Sequence, residues 1–169
     1  MDGVYDISAY GAVPGGVTNN TAAIQRAVDT CAASGGGRVF CGPGRWVTGS
    51  IELRSEVDLH LSAGCRLVGS PHLSDYATLT GRGFHPERAP ERSAIALLRA
   101  VGAENVSISG SGVVDGSGLA FYENVDAGEK LEKPATPRPR IGMFLRCRNL
   151  HISDVTLLDS ACWTLWLMQ

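Results

Sequence analysis

Several ingredients are scarce in this chain of 169 residues. No apolar run approaches the roughly 20 residues needed to span a bilayer, so no membrane partner is expected. Met1-Asp2-Gly3 leads on without the apolar core of a secretory leader. The chain as given therefore reads as cytoplasmic, or as the mature form of a secreted or periplasmic parent. The formal net charge is only −2, too small a field to draw nucleic acid, and no nucleic-acid partner is expected. The five cysteines, an odd number, include no Cys-x-x-Cys pair, which argues against a disulfide framework or a zinc site. Cys41, Cys65 and Cys147 instead read as small hydrophobes in or beside strand-like segments. His60, His72, His85 and His151 have no ligand spacing, so no metal and no cofactor is expected. Gly35-Gly36-Gly37 follows a helical pattern, whereas a phosphate cradle opens a helix.

What the chain does have is a motif that occurs twice. Asn105-Val106-Ser107-Ile108-Ser109 leads into Val113-Val114-Asp115-Gly116, and Asn149-Leu150-His151-Ile152-Ser153 leads into Leu157-Leu158-Asp159-Ser160, all at one offset of 44. Each copy reads as a short strand, a polar corner and a second short strand. Coils of that kind bury a continuous apolar column only when stacked, which is the logic of an all-β solenoid. The offset exceeds the roughly 20 to 30 residues of one coil. The charged, proline-rich stretch 119–140 favours one coil plus an excursion over two coils. The 21 glycines suit many tight corners.

The N-terminal segment is organised differently. Residues 5–11 read as a strand entering a glycine turn. A helix follows, with Asn20 or Thr21 as N-cap, Ile24, Val28 and Cys31 at i, i+4 and i+7, and the three glycines as its stop. An amphipathic helix ahead of all the strands is suited to covering the open end of a solenoid. The reading is one domain over 1–169, a cap (1–37) followed by early coils (38–169). Strands are expected at 38–41, 46–53 with a break at Gly49, 57–61, 66–69 and 94–100. The polar excursion 70–92 and the later one can wall a groove.

These segments, taken in order, carry a resemblance. Tyr5-Asp6-Ile7-Ser8-Ala9-Tyr10-Gly11-Ala12, Thr21-Ala22-Ala23-Ile24-Gln25, Gly35-Gly36-Gly37-Arg38-Val39 and Thr48-Gly49-Ser50-Ile51 are similar to the entry of the pectin-degrading parallel β-helix proteins. Leu67-Val68-Gly69-Ser70-Pro71, Asp75-Tyr76, Ile108-Ser109-Gly110-Ser111-Gly112, Arg138-Pro139-Arg140-Ile141 and Asp159-Ser160-Ala161-Cys162-Trp163-Thr164 narrow this. Together they resemble the N-terminal half of glycoside hydrolase family 28, the polygalacturonase-like enzymes. The sequence departs from the family pattern at Gly15, at Asn19-Asn20 and at Phe121-Tyr122, which leaves the substrate subclass open. The resemblance implies a right-handed parallel β-helix and hydrolysis of galacturonic-acid-containing polysaccharide with inversion. It also makes an acidic polysaccharide or oligosaccharide the expected partner. Inversion needs an acid and a base roughly 6.5 to 9.5 Å apart. The family supplies them from Asn-Thr-Asp and Asp-Asp motifs, supported by Gly-His-Gly and Arg-x-Lys, and none of the four occurs here.

No catalytic residue is therefore assigned, and the chain alone is expected to be inactive. Asp115, Asp154 and Asp159 fall near corners, where aspartate closes turns by accepting backbone N–H groups; the competing reading is a carboxylate pair. Arg138 and Arg140 are the substrate-binding candidates, able to pair with an acidic sugar, with Lys130 and Lys133 adding positive potential; the plainer reading is solvated loop charge. Trp163 and Trp166, three apart in a strand-like run, are expected on opposite faces. The apolar ending 161–169 suggests a fold truncated at its C-terminal end, prone to self-association through an uncapped coil. The alternative function is a non-catalytic β-helix that binds carbohydrate or serves as a tailspike-like scaffold. A pectate lyase would require clustered acidic Ca²⁺ ligands, which are absent from the sequence.

Overall fold

The computed structural model describes residues 3–123, 134 and 136–169. Thirteen strands form three parallel sheets, and the chain visits the sheets in rotation. The first coil comprises β2 (Gly37–Cys41), β3 (Gly44–Thr48) and β4 (Ile51–Glu52). The second comprises β5 (Val57–Leu61), β6 (Cys65–Gly69) and β7 (Ala96–Val101). The third has β8 (Glu104–Gly110), β9 (Val113–Asp115) and β10 (Arg140–Leu145). The fourth has β11 (Arg148–Ile152), β12 (Thr156–Leu158) and β13 (Leu165–Met168). A leading strand, β1 (Val4–Asp6), pairs with β2. The fold is a right-handed parallel β-helix.

Period-two alternation explains why the strands stack as they do. In β5 the apolar Val57, Leu59 and Leu61 are buried while Asp58 and His60 are partly exposed. Register lines up Val39, Leu59, Ile108 and Ile152 along the first sheet, and Trp46, Leu67, Val114 and Leu157 along the second. These rows meet in one continuous core. Fully burying an aliphatic side chain is worth roughly 1.5–3 kcal/mol, so the rows dominate cohesion between coils.

Helix α1 (Thr21–Ala33) buries Ala23, Ile24, Ala27, Val28 and Cys31 against β1, β2, β4 and β5. Its segment also satisfies the free edge of the first coil. The Gln25 amide donates to Glu52 O at 2.9 Å and accepts from Glu52 N at 2.8 Å, standing in for a neighbouring strand beside β4. Asn20 N donates to Val47 O at 2.7 Å, beside β3. An edge treated this way offers no template for further pairing.

Four local expectations are corrected. Residues 7–10 form a 3₁₀ turn rather than continuing the strand, because the Asp6 carboxylate accepts from Ser8 N at 2.8 Å. Asn20 occupies the N-cap position, but its buried side chain is spent on Val13, Thr18 and Val47. Asn19 instead accepts from Thr21 N at 2.9 Å. The 44-residue offset spans one coil plus an excursion, with β8 beside β11, yet it does not hold to the end of the motif. Ile152 lies opposite Ile108, but Leu157 lies opposite Val114 and Leu158 opposite Asp115. The corner at 153–155 is one residue shorter than that at 109–112, and a one-residue slip restores an inward Leu157. Asp115 and Asp159 are thus not partners. Finally, strand alternation is not what separates Trp163 and Trp166: residues 161–164 bend before β13 begins, yet Trp166 packs inward while Trp163 is half exposed.

Two glycines mark close approaches. A Cβ on Gly49 would lie 1.9 Å from Asp75 O, which explains the break between β3 and β4. Gly110 has φ +104°, and a Cβ there would lie 2.1 Å from Leu61 O.

Candidate functional site

Both excursions leave the solenoid between a strand of the second sheet and one of the third. The first runs from β6 to β7 and the second from β9 to β10. The first folds back over the outer face of the third sheet, where Leu79 and Phe84 pack with Met143, Leu145, Trp166 and Met168. Phe84 meets Trp166 edge to face, with ring centroids 5.9 Å apart. This explains why β10 is buried along its whole length, although it lies in an outer wall.

Arg138 and Arg140 sit where this cover meets the start of β10. Neither is solvated loop charge: their exposures are 4% and 1%. Arg138 reaches both ways across the seam. It pairs with Glu91 of the first excursion at 2.7 Å, donates to the Tyr122 hydroxyl at 2.7 Å and donates to the Ala161 carbonyl. The Tyr122 hydroxyl in turn donates to Ala161 O at 3.1 Å, and Ser93 Oγ donates to Arg138 O at 2.5 Å. Arg138 is therefore a strut whose main donors are committed within the fold. Phe121 and Tyr122, read from sequence as possible groove residues, are structural too: Phe121 is buried edge to face with Tyr76.

Arg140 differs. Its Nη2 donates to Pro90 O at 2.7 Å and, weakly, to Ser93 O at 3.4 Å. Its Nε and Nη1 are buried and have no hydrogen-bond partner among the described residues. The guanidinium lies over the ring of Trp163 at 5.2 Å and over that of Trp166 at 4.9 Å. Burial pulls its pKa below the usual arginine value; Cys162 and Glu91 oppose this and the neighbouring Arg138 adds to it. It stays protonated at any physiological pH. Lys130 and Lys133 lie outside the described residues.

The aspartates at the corners have structural duties where their side chains are defined. Asp115 is buried, pairs with Arg66 at 2.7 Å and accepts from Ser117 N at 2.9 Å. Asp154 and Asp159 take left-handed backbone conformations, φ 63° and 50°, and Asp159 O accepts from Gly118 N. A constellation invisible to sequence spacing appears on the first sheet. Ser109 Oγ donates to Asp58 at 2.6 Å and lies 2.9 Å from His60 Nδ1, with Phe40 stacked on the imidazole and Arg38 paired to Asp58. Nucleophile activation needs histidine to take the serine proton and the carboxylate to orient the histidine. Here that proton goes to the carboxylate, so the imidazole can only donate to Ser109. The trio is a cross-strand ladder. Among the described residues no three His, Cys, Asp or Glu side chains gather as a metal site.

The fold places the chain among the parallel β-helix proteins. No protein-family model matches it. An exo-poly-α-D-galacturonosidase from Dickeya chrysanthemi is 33% identical over 133 residues, covering 76% of this chain and 21% of that protein. The crystal structure of a protein from Parabacteroides merdae, provisionally described as a glycosyl hydrolase, superposes with a TM-score of 0.80 at 30% identity. That match covers 98% of this chain and 69% of the other. A family 28 exopolygalacturonase from Yersinia enterocolitica shares the fold, with a TM-score of 0.73 at 22% identity over 95% of this chain and 36% of its own. The chain belongs to the polygalacturonase-like glycoside hydrolases of family 28. It spans only about a fifth of the length of its Dickeya relative.

Proposed function

We propose that these residues are the capping segment and early coils of an inverting hydrolase that cleaves galacturonic-acid-containing polysaccharide. The observation that supports this most directly is the 33% identity to a galacturonosidase across three quarters of the chain. Inversion requires a proton donor on the glycosidic oxygen and a carboxylate that activates water on the opposite face. Neither role is assigned among the described residues: Asp115 is tied to Arg66, and the family's aspartate motifs do not occur in this sequence. The carboxylates come from coils outside the 169 residues, and this portion alone is inactive. Its contribution is to seal the first coil and to build one wall of the groove, with Arg140 rather than Arg138 lending its charge to the binding of the acidic sugar.

The test is release of reducing ends from polygalacturonate, with the anomer of the first product read by NMR. The 169-residue chain is expected to release none. The natural protein, if longer, is expected to release the β-anomer first. Absence of hydrolysis by that protein, or an unsaturated product, overturns the reading.

A further inference from the structure

We infer that Trp163 is the stacking platform for a uronic-acid ring, and that the Arg140 guanidinium behind it biases the platform toward acidic over neutral sugar. This rests on the acidic-polysaccharide reading above and assigns a residue to it. Trp163 is 52% exposed although one of its faces lies against a buried guanidinium. The exposed surface is therefore the other face and the ring edges. A large aromatic half in water is a feature of binding surfaces, and this one is held in place by Arg140, which is itself fixed by Pro90 and Trp166. The ring is set before any ligand arrives, so little side-chain entropy is lost on binding.

The guanidinium shapes what the platform accepts. An indole face carries negative potential, which repels a carboxylate. A cation on the rear face offsets that potential, so an anionic ring meets less repulsion in front. Arg140 also keeps Nε and Nη1 without partners in a buried position. Buried donors left unmade each cost about 1–3 kcal/mol, and such exceptions in native proteins call for an explanation such as an absent ion or water. The indole stands between the guanidinium and a ring stacked on its outer face, so Arg140 acts on that ring through its charge rather than through a hydrogen bond. Phe84, edge-on to Trp166, closes the rear of the assembly.

The experiment is calorimetric titration of the 169-residue chain with trigalacturonate, its methyl ester and a mannuronate trimer, using the native chain, Trp163→Ala, Trp163→Phe and Arg140→Gln. Trp163 lies at the surface, so its variants are expected to keep the native circular dichroism and melting. Trigalacturonate is expected to bind the native chain, Trp163→Ala to weaken it roughly tenfold and Trp163→Phe to restore most of the loss. The preference for acid over methyl ester is expected to fall in Arg140→Gln, which removes the cation. Equal binding by folded Trp163→Ala, or no binding of any trimer by the native chain, overturns the inference. Tighter binding of mannuronate than galacturonate supports the platform and counts against the pectin reading. Intact trimer binding with no hydrolysis by a longer natural protein likewise sinks only the hydrolase.

Discussion

The Arg138 guanidinium and the Glu91 carboxylate lie 2.7 Å apart, the arginine almost wholly buried and the glutamate about a quarter exposed. The pair joins the first excursion to the chain entering β10, and through Tyr122 and Ala161 the same guanidinium also holds the approach to β13. Three segments distant in sequence thus meet on one side chain. Because only one partner is deeply buried, removing one of them should cost less than breaking a fully enclosed pair and more than breaking a surface one.

Arg138→Met is accordingly expected to cost about 2–3 kcal/mol, since it removes the ion pair with Glu91 and the hydrogen bonds to Tyr122 and Ala161. Urea unfolding should show the midpoint falling with little change of slope. A midpoint equal to that of the native chain would show that the seam is held by packing alone.

Leu59 sits in the middle of the longest inward row, between Val39 and Ile108, and is fully buried. Leu59→Ala should destabilise by about 2–5 kcal/mol, the range for opening a cavity in a packed core. The solvent-side neighbour Asp58, truncated to Ala, should cost less, roughly 1–2 kcal/mol for a lost ion pair and a lost hydroxyl contact. A reversal of that order in denaturant melts would contradict the assignment of faces.

Gly110→Ala should destabilise by more than about 2 kcal/mol, because positive φ and a backbone collision add. Ser111→Ala, on the next, exposed residue, should lie within roughly 0.5 kcal/mol of native. Thermal melts of both variants decide this; equal stability of the two would mean that the corner relaxes around the new methyl group.

The thiols should divide by burial. Burial, with Asp58, raises the Cys31 pKa; a hydrogen bond with Cys65, then burial, raises that of Cys41. Both groups hold less thiolate at neutral pH than free cysteine. Native protein treated with a thiol reagent at pH 7.5 should label at Cys147 and Cys162, the two partly exposed cysteines, while Cys31, Cys41 and Cys65 react only after denaturation. Fast labelling of Cys31 or Cys41 in the folded state would refute the packing around α1 and β2.

How much of this was legible from residues alone differs by feature. Val57–Leu61 announced its boundaries and its faces, because strict alternation has one structural solution. Gly49 was visible as a break, but its cause, the Asp75 carbonyl arriving from another coil, was not. Arg138 and Arg140 stood out as cations, yet their proline-rich setting suggested solvent. Their burial depends on Glu91, Tyr122 and the Trp163–Trp166 pair, which only the closed coil brings near. The Asp58–Ser109–His60 ladder is likewise a product of register, joining residues about fifty positions apart. Local pattern carried the strands; side-chain partnerships across coils needed the fold.

Both excursions emerge at the same corner of successive coils, whereas the turns joining the first sheet to the second take only two or three residues. Variation in chain length is thereby channelled to one margin of the molecule. Segments there can lengthen, shorten or be exchanged while the pitch of the stack stays fixed. Descendants of such a protein can acquire a new surface without having to reinvent how they fold.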